Sequence, residues 1–355
     1  MRAGYLCLVS SSRVDPVAPR AAEASAPASF DVAVTRGSLE ESRHRVHVAV
    51  VHRSGAILRA ARDPHYVTWW RSCAKPFQLL PFVESGGVDA LGWGDDEIAL
   101  ACASHGGEPE HVAIADKMLS SIGLEEGDLA CGPHEPLTAR GSRLLRECGG
   151  RPTRLHNNCS GKHAAMLAFA KQLGAPTTGY EQAGHPVQQR IRRAIDEWCG
   201  VTASQVRESV DGCGAVVFGL PLYNMALSYA RLAASCNSGP ASRIVGAMLR
   251  SPFLVGGTDR FDTVLMEASE GRIVCKIGAE GVHTIGLLER NIGIAVKVED
   301  GSPRAQYPAV IAVLEHLDMF PRGLPDSLRE YALRPIRNTR GETVGEITLA
   351  AGNLS

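Results

Sequence analysis

Ser72 and Lys75 stand three residues apart in Arg71-Ser72-Cys73-Ala74-Lys75. That spacing puts both side chains on one face of a helix, one turn from each other. An amine so placed can take the proton of a hydroxyl, provided that its pKa is depressed by burial or by a neighbouring cation such as Arg71. About two hundred residues later, Lys276-Ile277-Gly278 ends an apolar run with a second lysine and a small turn. A Ser-x-x-Lys with a distant Lys-x-Gly is the pattern of serine acyl-transfer enzymes that use lysine in place of histidine. The plain alternative is a capping serine and two solvent-facing lysines.

Four other segments are candidates, and one of them, His156 to His163, is denser in functional groups than capping requires. Ser104-His105-Gly106-Gly107-Glu108 joins two helical stretches and offers a second hydroxyl, although Ser104 or Glu108 could simply cap the next helix. His156-Asn157-Asn158-Cys159-Ser160-Gly161-Lys162-His163 runs into another helix, with Cys159 and Lys162 one turn apart. Asp211-Gly212-Cys213-Gly214 is a tight turn that exposes a thiol. Two thiolates and a nitrogen could hold a soft divalent metal, whereas cysteines by composition are more often small buried hydrophobes. Glu280, in the turn after Lys276, could bind an amino group or serve as an ordinary turn carboxylate.

The elements that must position these groups are legible as periodicities. Apolar residues alternate or run continuously over 46–51, 56–60, 272–276, 282–288, 292–298 and 344–349, which predicts strands, two pairs of them as hairpins. Helical spacing covers 74–83, 95–103, 109–121, 162–173, 186–198, 223–233, 241–249 and 304–317. Pro76 suits the first turn of its helix. Strands at both ends with helices between predict an α+β fold: one antiparallel sheet built from the N- and C-terminal strands, and a helical region between them. The expected organisation is a single domain over 30–350, with a sheet part (30–70 and 270–350) and a mainly helical part (71–269). Residues 1–29, rich in Ala, Pro and Ser from residue 13 on, read as a mobile extension.

Composition narrows the class. The chain has 355 residues, 45% hydrophobic and 21% charged, with a net charge of −1. No basic stripe points to nucleic acid, and no apolar run is long enough to span a membrane. The ten cysteines are dispersed and include no Cys-x-x-Cys pair. With no signal peptide, this predicts a cytoplasmic protein with free thiols rather than a disulfide framework.

Taken in order, these motifs resemble the Rhizobium-type L-asparaginases, the L-asparaginase II family. The resemblance is carried by Thr35-Arg36-Gly37, Glu41-Ser42-Arg43-His44-Arg45, Arg71 to Gln78, Ser104 to Glu108, Asn158 to His163, Asp211 to Gly214 and Lys276 to Gly281. Asn338-x-x-Gly341-x-x-Val344-Gly345 adds a matching ending. It covers essentially 30–350. It implies hydrolysis of L-asparagine to L-aspartate and ammonia, a fold like that of serine β-lactamases and glutaminases, and a homodimer. It further implies Ser72 as nucleophile activated by Lys75, Ser104 paired with Lys276, and Arg71, Asp211, His163 and Glu280 around the substrate. Zinc is implied at Cys159, Lys162 and Cys213. The competing readings are a glutaminase or penicillin-recognising serine hydrolase of the same fold, and a non-catalytic amino-acid-binding protein. The ordinary Ser-x-Asn element of the penicillin-recognising group is missing, since Gly106 stands two residues after Ser104.

Overall fold

The computed structural model of the protein describes residues 29–350 and 352–355, so the extension expected over 1–29 lies, but for its last residue, outside the described residues. Twelve strands are present among them: Val32–Arg36 (β1), Leu39–His44 (β2), Val46–His52 (β3), Ile57–Ala61 (β4), Val67–Trp69 (β5), Arg207–Val210 (β6), Val216–Pro221 (β7), Ile273–Ile277 (β8), Val282–Leu287 (β9), Ile292–Val298 (β10), Arg334–Arg337 (β11) and Thr343–Leu349 (β12). The α+β class expected from the sequence is observed, and all the strand pairs are antiparallel.

The terminal strands do not form one sheet. They form a central five-stranded sheet, β4-β3-β10-β9-β8, and a separate four-stranded sheet, β11-β12-β1-β2. A third, β5-β7-β6, takes two strands from the middle of the chain, inside the stretch predicted as mainly helical. Packing separates the first two. The helix Pro303–His316 contacts both β10 and β12, so it lies against the two sheets and keeps them from merging. Strands β3 and β10 are buried almost throughout, because helices cover both faces of the central sheet. Their near-continuous Val/Ile/Ala sequences reflect that two-sided burial.

The helix Leu222–Ala234 covers the other face and packs on β3, β9 and β10. Gly293 in β10 permits the approach: a Cβ there would collide with the Ala226 carbonyl and the Ala230 nitrogen. The predicted helices are observed with ends within two residues of those expected, and shorter helices such as Ala139–Glu147 and Phe261–Ala268 add to them. None of the helices among the described residues is long and apolar enough to cross a membrane.

Replacing Gly293 by Ala should overpack this helix–sheet contact and cost about 1–3 kcal/mol. Urea unfolding measures it, and an unchanged midpoint would show that the helix is not seated against the sheet at this point.

Candidate active site

The short β5–β7 pairing brings the Ser72 segment to the site. Val67–Trp69 pairs with Gly219–Pro221, and the Trp70 N–H donates to the Phe218 carbonyl at 2.8 Å. The chain then turns at Arg71, whose φ of 54° lies in the left-handed region that side chains ordinarily avoid. A 3₁₀ turn over Arg71–Ala74 leads into the helix Lys75–Glu84. The hairpin between β6 and β7 carries Asp211 to Gly214 back to the same place. There the Arg71 Nε donates to Asp211 Oδ1 at 2.7 Å, which holds the strained turn against the hairpin.

Lys276 arrives on β8. Its strand is fixed to the Ser72 turn by the Cys73 thiol, which donates to the Lys276 carbonyl at 2.9 Å. Gly278 makes the fit possible, since a Cβ there would lie 3.1 Å from both Cys73 Sγ and the Trp70 carbonyl. This is the physical reason for a small residue two positions after the lysine.

Ser104 lies at the centre. Its Oγ is 3.1 Å from Lys75 Nζ and 2.9 Å from Lys276 Nζ. Both amines are buried, with Lys276 0% and Lys75 1% exposed. Lys75 also bonds the carbonyls of Ala103 and Asn158. Burial pushes the Lys75 ammonium below its ordinary value; Lys276 and Lys162 add to the shift, and Cys159 opposes it. The expected Ser104–Lys276 contact is thus a hydrogen bond. Lys75, however, bonds Ser104 rather than Ser72, whose hydroxyl makes no side-chain hydrogen bond among the described residues. Ser72 instead lines a cavity of about 220 Å³, together with Arg71, Asn158, Cys159, Asp211 and Cys213. That volume is below the range of pockets for drug-sized ligands and suits a small metabolite.

Two of the residues expected around the substrate do not reach this cavity. His163 is fully buried and bonds the Tyr180 hydroxyl at 2.7 Å. Glu280 is exposed in the next turn at a φ of 62°. Neither position could be separated from its lining neighbours by sequence order alone. His134, which also lines the cavity, carried no signal beyond ordinary loop composition, whereas Asn157 lay inside the dense segment His156 to His163 without a role of its own.

Cys159 and Cys213 line the cavity, and the buried Lys162 reaches Cys213. Lys162 Nζ lies 3.0 Å from Cys213 Sγ. The Cys213 thiol is drawn well down by a hydrogen bond from Cys159, with Lys162 and His163 reinforcing the shift against burial. Burial disfavours the Lys162 ammonium, yet Cys213, Cys159 and Asp211 outweigh it and raise its pKa. The His163 Nε2, buried without a hydrogen-bond partner, is adjacent to Cys213. Two soft sulfurs and an amine beside the cavity are donors of the kind that zinc takes.

A second cluster, Asp262, Cys275 and His283, has ligand atoms within 4.8 Å of one another and is fully buried. It does not fit a metal as well. One Asp262 oxygen already accepts the Ile277 N–H at 2.8 Å and faces Lys276 at 3.5 Å. Burial and the Asp262 charge hold the Cys275 thiol well above its ordinary value. No sequence signal marked Asp262, an isolated acidic residue in the first turn of a helix.

The sequence matches the L-asparaginase II family over residues 32–349. The chain belongs to this family. It is accordingly a hydrolase of the asparaginase type, and of the residues on which the resemblance rested the fold gathers Arg71, Ser72, Lys75, Ser104, Cys159, Asp211, Cys213 and Lys276 around Ser104 and the cavity. No curated protein matches the chain significantly. Among solved structures, Mglu in its native form aligns at 16% identity over 83% of this chain and 69% of its own, with a TM-score of 0.44. A β-lactamase from Mycobacterium bovis aligns at 11% identity over 76% and 94%, with a TM-score of 0.34.

Two anchors hold the Ser104 segment of this asparaginase-type site. His105 joins it to the Cys159 segment through Ser160 Oγ at 2.9 Å. The Glu108 carboxylate is wholly buried; it accepts from the Thr258 N–H at 2.7 Å and hydroxyl at 2.8 Å, and from Arg140. Removing its charge by Glu108→Gln should cost about 2–3 kcal/mol, less than for a fully buried ion pair because Arg140 is partly exposed. Denaturant unfolding checks this, and a change below about 0.5 kcal/mol would mean that the anchor is dispensable.

Proposed function

We propose that the protein is an L-asparagine amidohydrolase that releases L-aspartate and ammonia through an acyl-enzyme on Ser72. The observation that carries this reading is the convergence of Lys75 and Lys276 on Ser104 beside a small cavity walled by Ser72, Arg71 and Asp211. A cavity presenting a guanidinium and a carboxylate side by side suits the α-carboxylate and α-amino groups of a free amino acid. Arg71 would take the first and Asp211 the second.

The substrate's side-chain amide then lies at Ser72. The Ser72 hydroxyl attacks the amide carbon, and its proton passes to the buried relay of Lys75 and Ser104. The Ala279 N–H, on the cavity wall and without an acceptor among the described residues, is the oxyanion donor. The same relay protonates the departing ammonia. Water hydrolyses the aspartyl ester by the reverse proton path, and division into two steps is what makes amide cleavage tractable. Zinc held by Cys159, Lys162 and Cys213 would supply a fixed positive charge beside the substrate. Holding it requires the Lys162 ammonium to lose its proton. A homodimer is part of this proposal.

Three outcomes test the reading. Ser72→Ala should abolish ammonia release from asparagine without changing thermal stability, and labelling with an electrophilic asparagine analogue should modify Ser72 on peptide mapping. Label on Ser104 instead would reassign the nucleophile, and equal turnover of glutamine would broaden the substrate. Because the Lys75 pKa is lowered in the fold, activity should rise with pH through a midpoint below the ordinary lysine value. Lys75→Arg, which stays charged, should be inactive at every pH. Elemental analysis of protein purified without chelators should find about one zinc per chain, lost in the Cys159→Ser, Cys213→Ser double variant. An absence of metal in both samples would remove zinc from the site.

A further inference from the structure

Two buried lysines on one hydroxyl pose a question of charge. The Ser104 hydroxyl could accept from both amines through its two lone pairs, but two ammonium ions on one oxygen repel, which favours one charged donor and one neutral amine that receives the Ser104 proton. The environments of the two amines differ in one respect. Lys75 Nζ faces Ser104 Oγ and two backbone carbonyls. Lys276 Nζ faces Ser104 Oγ and the Ile277 carbonyl, both at 2.9 Å, and also Asp262 Oδ2 at 3.5 Å. Each amine thus has three oxygens within reach, and only Lys276 has a carboxylate among its three.

Asp262 is itself held firmly. It opens the helix Phe261–Ala268, is 1% exposed and accepts the Ile277 N–H at 2.8 Å through Oδ2. Its Oδ1 lies 3.1 Å from His283 Nε2 on β9. We propose that Asp262 is a positioning residue that holds Lys276 as the ammonium, so that Ser104 accepts from Lys276 and is left to donate to Lys75. Its consequence for turnover rests on the hydrolase reading above; the charge state of Lys276 does not.

The surrounding groups leave this role to Asp262. Burial alone would raise its carboxyl, but Lys276, His283 and the Ile277 N–H outweigh it and hold the carboxyl below the ordinary range. The other titratable groups facing it are Cys73, Cys275, Tyr229 and Tyr307. Burial raises all four, so none carries charge near neutral pH. Asp262 is thus the counter-ion that fixes which end of the Ser104 relay is positive.

The chain has only six lysines, which makes their side-chain nitrogens resolvable by lysine-selective ¹³C/¹⁵N NMR, with Lys276→Arg assigning the signal. In the substrate-free wild-type protein at about pH 7, the Lys276 signal should be that of an ammonium. Asp262→Asn keeps the shape and removes the charge, and should lower the Lys276 midpoint by about 1–3 pH units. With asparagine, the same variant should lose kcat far more than KM and move the alkaline limb of the kcat profile to lower pH. Asp262→Glu should restore part of both. An unshifted Lys276 in folded Asp262→Asn overturns the proposal, as does a neutral Lys276 in the wild-type protein at about pH 7. The wild-type measurement decides even where the Asn variant does not fold. A shifted Lys276 in a protein that releases no ammonia from asparagine supports the Asp262 assignment and defeats the hydrolase reading instead.

Discussion

The hydrogen bonds from two buried amines to the single hydroxyl of Ser104, at 3.1 and 2.9 Å, are the constraint around which the structure is arranged. The amines lie at most about 6 Å apart. Two ammonium ions at that separation repel by roughly 3 kcal/mol even at an effective dielectric of about 20, before either pays for leaving water. The site is therefore stable only if one amine is neutral or an anion is brought in. Burial depresses Lys75, and the Asp262 carboxylate stands 3.5 Å from Lys276. The relay is asymmetric because its surroundings are.

Delivering three separate segments to one hydroxyl demands close backbone approach and fixed strand register. The central sheet supplies the register: β8 pairs with β9, and β9 with β10, so Lys276 and His283 lie on neighbouring strands with Asp262 between their side chains. The Cys73 thiol, pushed up to about 12 by burial, stays a neutral donor to the Lys276 carbonyl rather than a reactive nucleophile. Side chains that by type could do chemistry are here used as fasteners. The same holds for His105 and Glu108, which secure the segment that carries Ser104.

Much of this was legible in the sequence because the chemistry is encoded in short spacings. Ser72, Lys75, Ser104, Lys276 and the two cysteine motifs could be named from order alone, and the long helices from their period. Strands β1, β2, β5, β6, β7 and β11 were not. The sequences Leu39–His44 and Arg207–Val210 are mostly exposed edges, without the apolar alternation that marks a half-buried strand. The division into three sheets depends on where the helix Pro303–His316 packs, which no local pattern states. Asp262 was invisible for a similar reason: its partners are 14 and 21 residues away on two strands, and an acidic residue in a first turn ordinarily just complements the helix dipole.

The proposed complex also limits how selective the enzyme can be. If Arg71 and Asp211 fix the α-groups, the distance from that pair to Ser72 measures the substrate's side chain, and glutamine differs from asparagine by one methylene. A pocket that merely excludes or misplaces one methylene discriminates by about 1–3 kcal/mol, or roughly 10–200-fold. A larger preference would need a polar group that only one amide could satisfy. The cavity wall offers the Asn158 side chain, whose oxygen lies 3.1 Å from Cys159 Sγ, as the amide group available for that purpose.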